Sequence, residues 1–395
     1  MFAFDKLNVL NGSHLGGMTI AGLARPETAN RLTLPMLMLI ATFSVPHISS
    51  IAPFLNDISD EFDVSTGLAG QMGSVSYVGT FLMAVILTPF VGGISLRKLM
   101  VIALIIAGIA TFATAVTPSF WGVMVTRVFA GFGAGMLVSS AIGSVARAWE
   151  DPAGRAKRLG LVVAAIAGGP GLWAPLIRLI ADATSWQFGV AFYGILSVAA
   201  GLLAWGLLPG LEGAAPVFVA LRDRIKTSLG LLRYPVLGQV FLARTLMGMS
   251  VMVIFTFIAP FSEHFYPGSD KWIGPMIAAI SLGFMVMALA SGLVISKLGG
   301  PMKAAVISII AMALFNSLLA WITPDPVVTT IWLILWGATA AVVITSTQEL
   351  MFTHSGEHQT SAVFMSGSIG PLGNVFGVII AGMAGLAWLV MNLVR

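Results

Sequence analysis

Charged side chains are confined to short stretches of this chain. Asp, Glu, Lys and Arg make up 9% of its 395 residues and fall almost wholly between long apolar runs. Apolar stretches of about 20 residues recur from end to end, each long enough to cross a hydrocarbon layer as a helix. A soluble chain of this size could not cover its surface with so few charges. Backbone groups inside a bilayer must be paired within their own segment, which selects helices. The expected fold class is therefore all-α integral membrane. Arg127, Arg244 and Glu349 are the exceptions to the exclusion and stand inside apolar segments. An ionisable group in hydrocarbon is costly, so these positions are where function is to be sought.

The same composition excludes other classes. There is no cysteine, hence no disulfide framework, thiolate zinc site or thiol nucleophile. The pI of about 9.6 does not point to nucleic acid, because the basic residues are scattered over many short loops. No metal-ligand cluster, phosphate-cradling loop or nucleophile–base spacing is present, so neither an enzyme nor a cofactor is expected. Residues 1–33 read as a cytoplasmic tail, with no basic n-region followed by a compact apolar core. Within it Phe2–Leu10 is a candidate surface helix, and Met18 a second candidate start.

About eleven spans are predicted, near 34–55, 67–90, 98–117, 119–143, 159–181, 188–209, 235–262, 272–296, 303–323, 327–352 and 360–384. Charge sets their orientation. With the N-terminus inside, the inner loops hold fifteen basic residues, among them Arg97, Lys98, Arg147, Arg155, Arg158, Arg222 and Lys297. The outer loops hold only Lys271, together with acids such as Asp57, Glu61, Asp182 and Asp325. That asymmetry places the N-terminus in the cytoplasm of a multi-pass inner-membrane protein. The domain organisation expected is a first bundle over 34–209, a cytoplasmic linker over 210–234 and a second bundle over 235–395. After Gly382 only thirteen residues remain, about 20 Å as a helix, so a twelfth span is incomplete.

The halves resemble each other. Ile51-Ala52-Pro53-Phe54 recurs as Ile258-Ala259-Pro260-Phe261, an offset of 207 at which Gly67 also matches Gly274 and Gly92-Gly93 matches Gly299-Gly300. Duplicated helical bundles joined by a linker are the architecture of many secondary transporters, with the solute site between the repeats.

Span four carries Arg127-Val128-Phe129-Ala130-Gly131-Phe132-Gly133-Ala134-Gly135, an R-x-x-x-G-x-G-x-G pattern. Span five carries Gly168-Gly169-Pro170-Gly171, and span eleven Gly370-Pro371 with the Gly373–Gly377 pair. After span two the chain reads Gly92-Gly93-Ile94-Ser95-Leu96-Arg97-Lys98, and after span eight Gly292 to Gly299, with Ser296 where an acid would stand. On these motifs the sequence resembles the major facilitator superfamily, especially its drug and sugar efflux branch. The resemblance implies a two-bundle fold with eleven full spans and part of a twelfth. It also implies that Gly131, Gly135, Gly169, Pro170, Gly370 and Pro371 serve helix packing and hinging. The missing acids imply that the family's charge latch between bundles is weakened. Arg127 has two readings, a link to proton transfer and a donor to the carbonyls of a neighbouring kinked helix.

In that family spans one, four, seven and ten line the central cavity. The resemblance then places His47, Arg127, Arg244 and Glu349 one on each. His47 is a candidate proton relay or a packed core histidine. Arg244 either binds an anionic solute or pairs with Glu349 as an inner gate. Gln348 and Asn374 are candidate hydrogen-bonding groups of the pathway, and Gln71, Tyr77 and Asn316 are weaker ones. No carboxylate stands mid-span in the first half, and intramembrane arginines outnumber acids, which favours a neutral or anionic solute.

The function expected is a monomeric secondary transporter of a small organic solute, exporting it in exchange for protons. Two alternatives stand beside it. One is a uniporter or importer of an organic anion that uses Arg127 and Arg244 as a charge clamp. The other is a non-transporting receptor or assembly subunit on a degenerate scaffold.

Overall fold

The computed structural model describes residues 29–51, 54–87, 90–91, 94–149, 151–211, 226, 230–266, 270–319, 325–356, 362, 365–366 and 369–377. Every regular element among them is helical. Among the described residues eight helices are long and apolar enough to cross a membrane, and two shorter apolar helices lie over Thr33–Ser49 and Pro235–Val251. Most of the expected tail, most of the linker and the short last segment lie outside the described residues.

The spans, numbered as expected, run as follows. Span one is Thr33–Ser44 continued by Pro46–Ser49, span two Thr66–Leu87, span three Leu96–Val116 and span four Phe120–Ala148. Span five is Pro152–Ala183 and span six Trp186–Leu207. In the second half, spans seven to ten are Pro235–Phe265, Asp270–Lys297, Pro301–Leu319 and Pro326–His354. Residues 369–377 form a helical piece of span eleven.

Local chemistry explains these ends. Ser119, Asp151, Ser185 and Asp325 each accept hydrogen bonds from backbone N–H groups two or three residues on, as N-caps do. Pro152 and Pro326 occupy the first turn, where a missing N–H costs nothing. Span eight ends in a Schellman turn. Gly299, at φ +83°, donates to the Ser296 carbonyl, and Gly300 donates to Ile295 at 2.9 Å.

Two expectations change. Span one, expected as one helix over 34–55, is interrupted at Val45, and the loop beyond it folds into a separate helix, Leu55–Phe62. That helix carries Asp57, Asp60 and Glu61, too acidic for a bilayer core, and is amphipathic. The inner connection expected between 143 and 159 shortens, because the flanking helices run on to Ala148 and start at Pro152, past the apolar runs that define them. Large side chains such as Ile109, Trp121, Leu202 and Leu293 stay exposed on the outside of the molecule, as lipid-facing residues do.

The duplication is carried in atomic contacts. A methyl group added at Gly131 would lie 1.9 Å from the Ser76 carbonyl oxygen, and one at Gly79 would lie 2.2 Å from that of Val128. In the second half Gly337 meets Ile280 at 2.3 Å and Gly283 meets Ile334 at 1.9 Å. Spans two and four therefore touch backbone to backbone as spans eight and ten do. Gly169 against the Thr42 carbonyl is likewise repeated by Gly373 against Thr245, at 2.4 and 2.2 Å. Gly373 is thus the counterpart of Gly169. Gly370 stands one turn earlier, where its carbonyl abuts Gly248.

Candidate functional site

Pro46 has no N–H and cannot donate to the Thr42 carbonyl, so the helix of span one breaks there. The short segment Pro46–Ser49 then ends with orphaned carbonyls of its own. Arg127 of span four, fully buried, supplies their donor: its Nη2 bonds the carbonyl of His47 and, at 3.4 Å, that of Ile48. Of the two readings of Arg127, this geometry realises the carbonyl donor. Its Nε and Nη1 have no hydrogen-bond partner.

His47 is also fully buried, and turns to spans three and six. Its Nδ1 lies 2.9 Å from Thr111 Oγ1 and its Nε2 2.9 Å from Ser197 Oγ. The Ser197 hydroxyl donates to the Leu104 carbonyl at 3.0 Å. That leaves Ser197 to accept from Nε2–H, and Nδ1 to accept from Thr111, a tautomer assigned from the network. The Tyr193 ring stands 4.9 Å from the imidazole, and its hydroxyl donates to the Phe43 carbonyl. His47 is therefore built into the interior of the first half.

In the second half Arg244 is 7% exposed, with Nε donating to Ser366 Oγ at 3.1 Å. Its Nη1 has no partner. No ion pair joins it to Glu349. Gln348 takes the buried face of span ten at 1% exposure, whereas Glu349, about 100° further round the helix, is only half-buried. Gln348 Oε1 is also without a partner. Asn374 serves packing: its Oδ1 lies 2.9 Å from where a methyl at Gly248 would stand. Asn316 joins spans nine and seven by donating to Ser250 Oγ at 2.6 Å. Pro170 stands inside a continuous span five, Gly135 packs against Thr80, and Pro371 is half-buried.

Buried polar atoms without a partner fall into a pattern. Among the described residues they belong to Ser50 at the end of span one, to Arg127, Ser139 and Ser140 of span four, and to Arg244 of span seven. On span ten they belong to Trp336, Ser346 and Gln348; Arg97 and Asn316 are the exceptions elsewhere. Ser140 follows Gly131 by nine residues, and Ser346 follows Gly337 by nine, so the two serines are equivalents under the duplication. Most helix hydroxyls here satisfy themselves on a carbonyl one turn back, as Ser144 and Thr345 do. The orphaned serines are the departure, and single-residue chemistry could not flag them; aligning spans four and ten on their glycines could.

One face of the molecule carries the linker. There Arg147, at the end of span four, donates to the carbonyls of Val91, Ile94 and Leu211. Arg97 donates to Leu208 at 3.0 Å and stacks 5.2 Å from the Trp205 ring. Ser296, where a latch acid was expected, donates to its own helix at Leu293. The Arg147 and Arg97 contacts tie the loop after span two to the start of the linker within the first half. The halves meet on the same side. The Arg155 guanidinium lies 5.3 Å from the Phe352 ring, and methyls at Gly160 and Gly168 would lie 3.1 Å from Ala288 and 3.4 Å from Met285. On the opposite face Arg178 donates to Asp182 at 2.8 Å and forms a looser ion pair with Asp57 at 3.7 Å, beside a cleft of about 250 Å³ lined by Phe54 and Trp186.

The model of the Major Facilitator Superfamily matches residues 37–388, and the chain belongs to that family. It is a multi-pass membrane protein of the superfamily's fold. The chain is 25% identical to the uncharacterized MFS-type transporter YceJ of Bacillus subtilis over 249 residues, 63% of each protein. It is 22% identical to the inner membrane transport protein YdhP of Escherichia coli K12 over 332 residues, 81% of this chain and 80% of that one. The match thus spans less than two thirds of YceJ. The fold is similar to that of the human organic anion transporter MFSD10 (TETRAN), with a TM-score of 0.71 at 17% identity over 90% of this chain and 93% of that one. It is also similar to that of the proton:xylose symporter XylE, with a TM-score of 0.69 at 15% identity over 92% and 91%.

Proposed function

We propose that the protein is a secondary transporter that moves a small organic solute by alternating access, residues 34–209 rocking against residues 235–395. The carrying observation is the gathering of unpartnered buried polar atoms on spans four, seven and ten. Such atoms are expensive in hydrocarbon unless another state solvates or binds them. Arg127, Arg244, Gln348 and Glu349 border the pathway in this reading. His47 and Asn374 hold helices that line it. The linker face is the cytoplasmic one, in line with the fifteen basic residues of its loops.

Export in exchange for protons is the favoured mode, supported by the likeness of the span-four and span-five motifs to the efflux branch. In proteoliposomes the solute should then move faster under an imposed pH gradient. Movement indifferent to that gradient would sink the exchange. Uniport or import of an organic anion is the second reading, favoured by the unpaired Nη1 of Arg244. Arg127 is committed to two carbonyls of span one and is a poor second jaw for the clamp.

A further inference from the structure

We infer that Arg244 is the anchor of a site for a carboxylate-type anion, reached from the linker face when the two halves separate there. The inference rests on the alternating-access reading for its opening, and on neither the direction nor the coupling of transport.

Three observations carry it. Arg244 is more than nine-tenths buried, yet no carboxylate among the described residues pairs with it. The half-buried Glu349 forms no ion pair with it, and the ion pairs among described residues are those of Arg178 at the opposite face. The side chain is nevertheless oriented: Ser366 of span eleven takes Nε at 3.1 Å and leaves Nη1 without a partner. A guanidinium steered on one edge and unfilled on another is prepared for a planar oxyanion, which accepts from the fork in a way a point charge does not match.

The surroundings fit an occluded site. Phe241 and Val240, one turn before Arg244, pack on Leu350 and Met351 of span ten and close the side toward the linker face. Gln348 lies one turn from Met351 with a free acceptor. Arg127, the other buried arginine, has its guanidinium bonded to helix-end carbonyls. Of the two buried arginines among the described residues, Arg244 is the one not bonded to helix-end carbonyls, which favours a monoanion over a dianion.

The test uses the full-length protein in detergent, with sodium benzoate, benzamide and benzylammonium chloride as probes at matched ionic strength. Benzoate should raise the melting temperature, and the neutral and cationic analogues should not. Arg244→Gln should abolish the benzoate shift, and Arg244→Lys should weaken it. Ser366→Ala leaves the charge but frees its orientation; it should raise the half-saturating benzoate concentration severalfold, and it serves if Arg244→Gln does not fold. Equal shifts with benzamide, no shift with benzoate, or a shift that survives Arg244→Gln would each overturn the inference. A single reporter cysteine, Ser346→Cys, separates this from the transport reading. Labelling of that cysteine that switches between states while benzoate does nothing defeats the anion site alone. A reporter that never becomes accessible defeats alternating access, and the benzoate shift then judges the site by itself.

Discussion

At Arg127 the guanidinium donates to the carbonyls of His47 and Ile48, which the break at Pro46 and the end of span one leave exposed in an apolar interior. Charge-assisted hydrogen bonds of this kind contribute about 1.5–3 kcal/mol. Arg127→Met should lower thermal stability by about 2 kcal/mol, the lost carbonyl bonds outweighing the relief of the unpaired Nε and Nη1. Unchanged melting in detergent would refute that weighing. His47 is tied to spans three and six through Thr111 and Ser197. His47→Leu orphans the Thr111 hydroxyl and should cost about 1–3 kcal/mol. If His47 also relays protons, His47→Ala will abolish pH-driven transport in protein that still folds. Intact coupling in that variant removes the role. The sequence marked His47 and Arg127 as unusual residues. It did not reveal that one grips the backbone of the other, since the contact joins positions 80 residues apart.

At the scale of elements, glycine decides how close two helices come. The R-x-x-x-G-x-G-x-G run was legible as a small-residue face, and Gly131 and Gly135 do pack against span two. Gly131→Ala would set a methyl 1.9 Å from the Ser76 carbonyl, and Gly283→Ala one at the same distance from Ile334. Each forces two backbones apart and should cost about 1–3 kcal/mol. Gly206, in span six, has nothing within 4 Å, so Gly206→Ala should instead gain about 0.5–1 kcal/mol. Melting curves of the three variants check the contrast, and equal effects would refute it. The short motif in span eleven shows where pattern reading slips. Gly370-Pro371 looks like Gly169-Pro170, but Gly373 makes the equivalent contact with span seven. In an apolar helix a one-turn shift keeps the same face, so the dipeptide alone cannot set the register.

For the whole molecule, the side of closure matters. Span five meets span eight from the linker face to the middle, and Arg155 covers Phe352 at the same end. The partnerless hydroxyls of Ser140 and Ser346 are buried in this arrangement. A chain with no cysteine of its own allows the consequence to be read directly. Ser140→Cys and Ser346→Cys should resist a water-soluble thiol reagent while the linker face is closed, and react when it opens. Both should change together, because the positions are equivalent under the duplication. Labelling of one without the other would contradict a rigid rocking of two halves.

Composition and charge order determined that this chain crosses a bilayer many times, while its repeated Ile-Ala-Pro-Phe stretch and its glycine motifs pointed to the duplication and the family. Those properties follow from runs of residues and their sums, which need no knowledge of who touches whom. The tertiary structure decided the rest. It turned His47 into the first half, gave Arg127 to the carbonyls of span one, and kept Glu349 from Arg244. It also left Ser140 and Ser346 without partners. Each of these depends on the rotation of one helix against another, and an almost uniformly apolar sequence carries little periodic signal from which that rotation can be read.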